Sequence, residues 1–182
     1  MIEISGWELR VDIQYVDTYE LTRVGQEVHG QAPIDQFERL TEDLPDQAST
    51  TVYWSVKGEM DSFGQRFLLV HVKASPMLEC QRCMKPFEWA VDSRNRLQLV
   101  KSEAELDADD AADTDPDDVI ERVLGSHRFD VLALVEDEII LSLPYVPKHD
   151  VCPSLPEPLE EEPGADSVRP SPFAVLDQLK KD

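Results

Sequence analysis

From Thr51 to Lys101 the chain alternates apolar and polar residues with the period of β-strands. Val52, Trp54 and Val56 alternate with Thr51, Tyr53 and Ser55. Successive side chains of a strand point to opposite faces, so a period of two makes one buried face and one wet face. Asp61-Ser62-Phe63-Gly64 supplies turn material, and Phe67–Ala74 is apolar and rich in β-branched residues. Phe87, Trp89 and Val91 then alternate with Glu88, Ala90 and Asp92, and Leu97 and Leu99 continue the trend. The segment predicts an antiparallel β-meander, as a sheet or a partly closed barrel.

Helical patterns flank it. Ile34, Phe37, Leu40 and Leu44 recur at helical spacing between Pro33 and Pro45, which suit a helix start and stop. Asp130 is placed to cap a helix from Val131 to Leu143, ended by Pro144. Leu132, Val135, Ile139 and Leu143 form its apolar stripe, with Glu136-Asp137-Glu138 in the middle. Trp7–Tyr15 alternates strictly and reads as a further strand, and Val119–Leu124 fits a strand or a short helix. The fold class expected is α+β, a meander packed with a few helices.

Charge divides the chain. Its 182 residues carry a net charge of -21. Glu103–Glu121 holds ten carboxylates and Glu157–Asp166 five, neither with a Lys or Arg. The first run gives an acidic loop at about 102–118, with too few apolar residues to fold alone. The expected organisation is one domain over residues 1–152, a Pro/Glu-rich linker over 153–171, and a short C-terminal helix or anchor over 172–182, where Phe173, Leu176 and Leu179 lie three apart. Lys57–Lys101 is of opposite sign, with eight cations against five carboxylates. A globally acidic chain meets a nucleic-acid backbone only where its basic groups gather on one face. A basic protein, or an RNA–protein particle touched through this stretch, is the expected partner. Met1-Ile-Glu-Ile-Ser-Gly has no targeting pattern, no apolar run is long enough to cross a bilayer, and the three cysteines do not suggest a secreted disulfide scaffold. The expected compartment is the cytoplasm.

Cys80-Gln81-Arg82-Cys83 falls between two strands, where a turn belongs. Two thiolates on a tight turn can reach one tetrahedral ion, and His149-x-x-Cys152 is the other close Cys/His pair. Cys80, Cys83, His149 and Cys152 together form a candidate zinc set. Four protein ligands leave no open position, so the zinc would be structural. The turn is followed by Met84 and Lys85, where zinc turns usually place Gly or a small residue. The competing reading has the two cysteines packing as small hydrophobes. Flanking strands disfavour a redox pair, which needs a helix N-terminus at the first cysteine.

Catalytic and calcium patterns fail on inspection. From Asp113 a calcium loop has Asp118 where Gly is needed and Leu124 where a bidentate Glu is needed. Gly-x-Ser-x-Gly, His-Glu-x-x-His and a Gly-rich phosphate loop are missing. His29, His71 and His127 have no carboxylate or serine at motif spacing. Glu136 and Glu138 read as part of a solvated rim or as a binding surface for a basic partner. No catalytic residue is assigned, and the chain is expected not to be an enzyme.

Three segments in order then carry a resemblance. Leu78-Glu-Cys-Gln-Arg-Cys-Met-Lys-Pro-Phe87 resembles the cysteine segment of the bacterial YceD family. Asp130–His149, an acidic-apolar helix followed by Pro144-x-x-Pro147-x-His149, resembles its second signature. Pro172-Phe-Ala-Val-Leu176 resembles its C-terminal tag. Members of that family are called large ribosomal RNA subunit accumulation proteins. The resemblance implies a non-enzymatic ribosome biogenesis factor that supports accumulation of 23S rRNA. It carries over Cys80, Arg82, Cys83, Glu136, Glu138, Pro144 and His149 as matching positions. Arg82 and Lys85, with Glu136 and Glu138, are the expected contacts to rRNA or to a basic ribosomal protein of the large-subunit precursor. The alternative is a zinc-binding structural module or metal carrier unrelated to ribosomes.

Overall fold

The computed structural model describes residues 13–106 and 121–153. Most of the Trp7–Tyr15 segment, residues 107–118 of the acidic loop, the Pro/Glu-rich linker beyond Pro153 and the C-terminal anchor lie outside the described residues.

The centre is a five-stranded sheet. In chain order its members are β2 (Glu27–Pro33), β3 (Thr51–Met60), β4 (Arg66–Ala74), β7 (Val91–Val100) and β8 (Arg122–Leu124). They lie side by side in that order. The first four pair antiparallel, and β8 runs parallel to β7. The sheet is open, with β2 and β8 at its edges, so of the two forms expected for the meander the sheet is realised. Between β4 and β7 the chain makes a separate hairpin of β5 (Met77–Glu79) and β6 (Pro86–Glu88). The continuous strand expected through Phe87–Val91 is interrupted at Trp89 and Ala90, where the chain passes from the hairpin to the sheet. A two-stranded ladder of β1 (Tyr15–Val16) and β9 (Phe129–Asp130) completes the β-structure among the described residues.

Registry decides which residues are buried. Trp54 lies opposite Val72, and Val56 opposite Val70, so the even positions of β3 and β4 share one face. That face buries Val52, Trp54, Val56, Leu68, Val70 and Val72 against the helices. Fully burying such a side chain contributes about 1.5–3 kcal/mol.

Helix α1 (Thr18–Val24) was not anticipated from the sequence. Asp17 caps it by accepting from the Tyr19 and Glu20 backbone N–H groups, and Gly25 ends it at φ 70°. The helix lies so close to β3 that a Cβ on Gly58 would come within 2.3 Å of the Leu21 carbonyl. Gly30 on β2 is constrained in the same way by the Trp54 ring, at 2.1 Å. The single helix expected between Pro33 and Pro45 divides at Phe37 into a 3-10 turn (Ile34–Gln36) and α2 (Glu38–Thr41). The break keeps Ile34, Phe37 and Leu40 all buried.

Helix α4 (Val131–Ser142) starts at the expected cap, where Asp130 accepts from the Ala133 N–H, and gives way to extended chain at Leu143 before Pro144. It buries Val131, Leu134, Val135 and Ile139. A one-turn helix, α3 (Glu103–Leu106), lies within the segment expected to be the acidic loop. Strand β8 decides the Val119–Leu124 ambiguity for residues 122–124. The result is an α+β fold, a mainly antiparallel sheet with helices packed on one face. No helix among the described residues is long and apolar enough to cross a membrane.

Candidate metal centre

The β5–β6 hairpin exists to hold a six-residue loop, residues 80–85. Leu78 is buried beneath it, and Gln47 ties it to the domain. The Gln47 amide donates to the Met77 carbonyl (3.1 Å) and accepts from the Met77 N–H (2.9 Å). Within the loop, Cys80 N–H donates to the Lys85 carbonyl and Met84 N–H to the Cys80 carbonyl. Closing so tight a turn requires a left-handed residue, and Met84 takes that conformation at φ 56°. The Gly usual at this place is absent, but its backbone geometry is present.

The chain after α4 returns to this loop. Gln81 N–H donates to the Pro147 carbonyl at 2.9 Å, which sets residues 147–152 alongside the hairpin. Cys80, Cys83, His149 and Cys152 thereby meet, with their ligand atoms all within 4.8 Å of one another. The Cys80 and Cys152 sulfurs are 3.7 Å apart, and Cys83 Sγ is 3.4 Å from His149 Nδ1. A tetrahedral ion with metal–sulfur bonds of about 2.3 Å and metal–nitrogen bonds of about 2.0 Å sets its sulfurs about 3.8 Å apart and a sulfur–nitrogen edge at about 3.5 Å. The three cysteines are free thiols. The group could hold a metal ion with three sulfurs and one nitrogen.

Local electrostatics favour a thiolate at Cys80. Cys80 is fully buried, which alone pushes its thiol up. Backbone N–H groups of His149, Arg82 and Cys83 aim at the sulfur and outweigh that penalty, holding the thiol at about 5. Cys83 is pushed up by burial and by the neighbouring sulfurs. Such a crowd of like groups is what a divalent cation relieves. Arg82 supplies part of the compensation. Its Nε donates to Cys152 Sγ at 2.9 Å and its second terminal nitrogen to the His149 carbonyl at 2.9 Å. The Cys152 sulfur in turn raises the Arg82 pKa. The Phe87 ring lies against the His149 imidazole, with centroids 4.7 Å apart, and fixes its plane.

The remaining candidates separate. Lys85 is exposed on the same loop. Glu136 and Glu138, expected to face a partner, are only 8% and 6% exposed and are turned inward. Glu136 accepts from Arg39 Nε (2.8 Å) and from the Leu40 N–H (3.1 Å), fastening α2 to α4. Glu138 accepts from Ser93 (3.3 Å) and Asn95 (3.2 Å) on β7. Burial raises its pKa, the Asn95 hydrogen bond works against that, and the nearby Glu121 carboxylate adds to it. Both carboxylates accept hydrogen bonds inside the fold, because α4 has polar neighbours on two sides.

Gln47 and Phe87 escaped the sequence reading as site residues. Phe87 was visible only as a strand position, and Gln47 carried no signal. His71 and His127 find carboxylates that no motif spacing revealed, Asp92 and Asp17, each at 2.7 Å.

The profile of the family described as large ribosomal RNA subunit accumulation protein YceD matches residues 68–180. The protein of that name from Haemophilus influenzae is 31% identical over 117 residues, covering 57% of this chain and 59% of its own length. The match thus spans less than two thirds of that relative. No solved structure matches.

Proposed function

The chain belongs to the YceD family, and from that premise we propose that it is a non-enzymatic factor supporting accumulation of 23S rRNA and of the large ribosomal subunit, acting in the bacterial cytoplasm on the subunit precursor. The observation that carries the reading is the joining of two separate family-like segments, the loop at 80–85 and the stretch at 147–152, into one four-ligand group. A four-ligand group fixes structure and leaves no site for a reacting molecule. The metal is zinc, whose preference for sulfur and imidazole in a tetrahedral array suits three cysteines and a histidine. It staples the chain after α4 to the hairpin and so presents Arg82 and Lys85 on a rigid edge. These two cations make the contact to rRNA or to a ribosomal protein. Arg82 does so while it also steadies Cys152.

Sucrose-gradient profiles of a strain lacking the gene test the reading. The expected result is a reduced large-subunit peak and less mature 23S rRNA, both restored by the intact gene but not by a Cys83→Ser form. An unchanged peak with unchanged 23S rRNA sinks it.

A further inference from the structure

The basic stretch between Lys57 and Lys101 is folded so that four of its eight cations share one face. Pairing places Lys57 opposite Leu69, and Leu69 opposite Arg96. It places Ser55 opposite His71 and His71 opposite Arg94, and Tyr53 opposite Lys73. Residues paired across strands share a face. Lys57, Lys73, Arg94 and Arg96 are therefore all on the side of the sheet away from α1 and α4. Among the described residues no helix packs over this side of β2, β3 and β4. Along β7, Arg94 and Arg96 stand about 7 Å apart.

The carboxylates on this face are already engaged. Asp92 accepts from His71 (2.7 Å) and Lys73 (3.4 Å), Glu59 faces Arg96 (3.9 Å), and Glu27 faces His29 (3.8 Å). Lys57 and Arg94 have no carboxylate partner among the described residues. The face also carries one exposed ring, that of Tyr53, while Phe67 is buried at 2% exposure. Tyr53 is 46% exposed between Gln31 and Lys73. Phe67 is covered by the Arg96 guanidinium, 3.6 Å from its ring centroid.

We propose that this face of the β2–β3–β4–β7 sheet binds single-stranded RNA, with Lys57 and Arg94 on phosphates and Tyr53 stacking on a base. The proposal rests on the ribosomal reading in taking RNA as the partner. A sheet face with an exposed ring and spaced cations is a surface for unpaired bases, which stack on side chains while cations follow the backbone. The overall charge of -21 does not forbid it. At physiological salt, charges act over about 8 Å, so distant carboxylates are screened from this face.

The test uses the full metal-loaded chain and a labelled, mixed-sequence single-stranded RNA of about 16 nucleotides, titrated at several salt concentrations. Arg94→Glu is compared with Arg23→Glu, which makes the same charge change on α1, across the sheet. Arg94→Glu is expected to weaken binding about tenfold and to flatten the salt slope by about 0.7, one phosphate contact. Arg23→Glu leaves both near the wild-type values. Tyr53→Leu weakens binding without changing the slope. If Arg94→Glu does not fold, Lys57→Gln with Arg94→Gln replaces it. Equal losses in the Arg94 and Arg23 variants overturn the proposal. So does failure to retain RNA while carbodiimide couples Lys57 or Lys73 to carboxylates of residues 107–118 or to an acidic protein. A reduced large-subunit peak in the deletion strain, with no RNA on this face, removes this inference alone. RNA held on this face with a normal peak removes the ribosomal role alone.

Discussion

The sulfurs of Cys80 and Cys152 lie 3.7 Å apart although 72 positions separate them in the chain. Cys80 is on a hairpin loop and Cys152 is past the end of α4, and between those points the described chain runs through β6, β7, α3, β8, β9 and α4. Backbone hydrogen bonds from Gln81 to Pro147 and from the His149 N–H to Cys80 Sγ bring the two segments together. Metal binding would convert this approach into a fixed junction.

The first prediction concerns that junction. Protein purified under reducing conditions should contain one zinc per chain, and Cys83→Ser or Cys152→Ser should lose it. Chelation should speed amide exchange at residues 80–85 and 147–152 while β3 and β4 stay protected, since their core is separate from the site. Elemental analysis and exchange mass spectrometry read the two effects. A fully folded, metal-free protein with slow exchange in both segments would falsify the assignment.

Arg82 reaches Cys152 and the His149 carbonyl at the same time. Groups that orient metal ligands in this way typically change affinity by about 10–100-fold when removed. Arg82→Ala should weaken zinc binding within that range in a competition assay against a chromophoric chelator. Arg82→Lys should restore little, because an ammonium cannot donate to two acceptors in a fixed fork. Equal zinc affinity in all three proteins would leave Arg82 with a surface role only.

Met84 holds φ 56°, the one positive φ at a non-glycine among the described residues. An L-residue in that region costs roughly 1–2 kcal/mol, and glycine gives back about 0.5–1 kcal/mol through its freer unfolded chain. Met84→Gly should therefore stabilise the protein by up to about 1 kcal/mol, seen as a higher urea midpoint at unchanged slope. The side chain is exposed, so no core packing is lost. A lower midpoint would mean that the Met84 side chain contributes more than its backbone costs.

The parts of the fold legible in the sequence were those governed by local period. The strand pattern at Val52–Val56 and the Asp130 cap each depend on a few adjacent residues, and both elements formed where expected. Helix α1 was missed because its signals, Asp17 and Gly25, bracket only two turns with no long apolar stripe. The division at Phe37 was hidden because 3-10 and α-helical turns satisfy nearly the same spacing. The four sulfur and nitrogen ligands were legible as residue types in pairs. Their support was not, since Gln47 and Phe87 act through contacts set by the tertiary fold. The inward turn of Glu136 and Glu138 was not legible, because a run of acids looks solvated until Arg39, Leu40, Ser93 and Asn95 are brought around it.

Glu138 yields the last prediction. Burial raises its pKa above the 4.5 of an ordinary glutamate. The folded state therefore holds the proton more tightly than the unfolded chain. This contribution to stability is fully present below about pH 4.5 and is lost as pH rises through the higher folded value. At neutral pH the charged carboxylate is a burden on the fold, although Ser93 and Asn95 still donate to it. Glu138→Gln imitates the protonated acid and keeps an oxygen for Asn95. The variant should match wild type in acid and exceed it at pH 7, so the difference between the two urea midpoints should grow across that interval. Glu138→Leu removes the acceptor of Ser93 and leaves Asn95 with Glu121 alone, and should be less stable at every pH, by about 1–3 kcal/mol. A constant difference between Glu138→Gln and wild type from acid to neutral pH would show that the carboxylate titrates alike in both states.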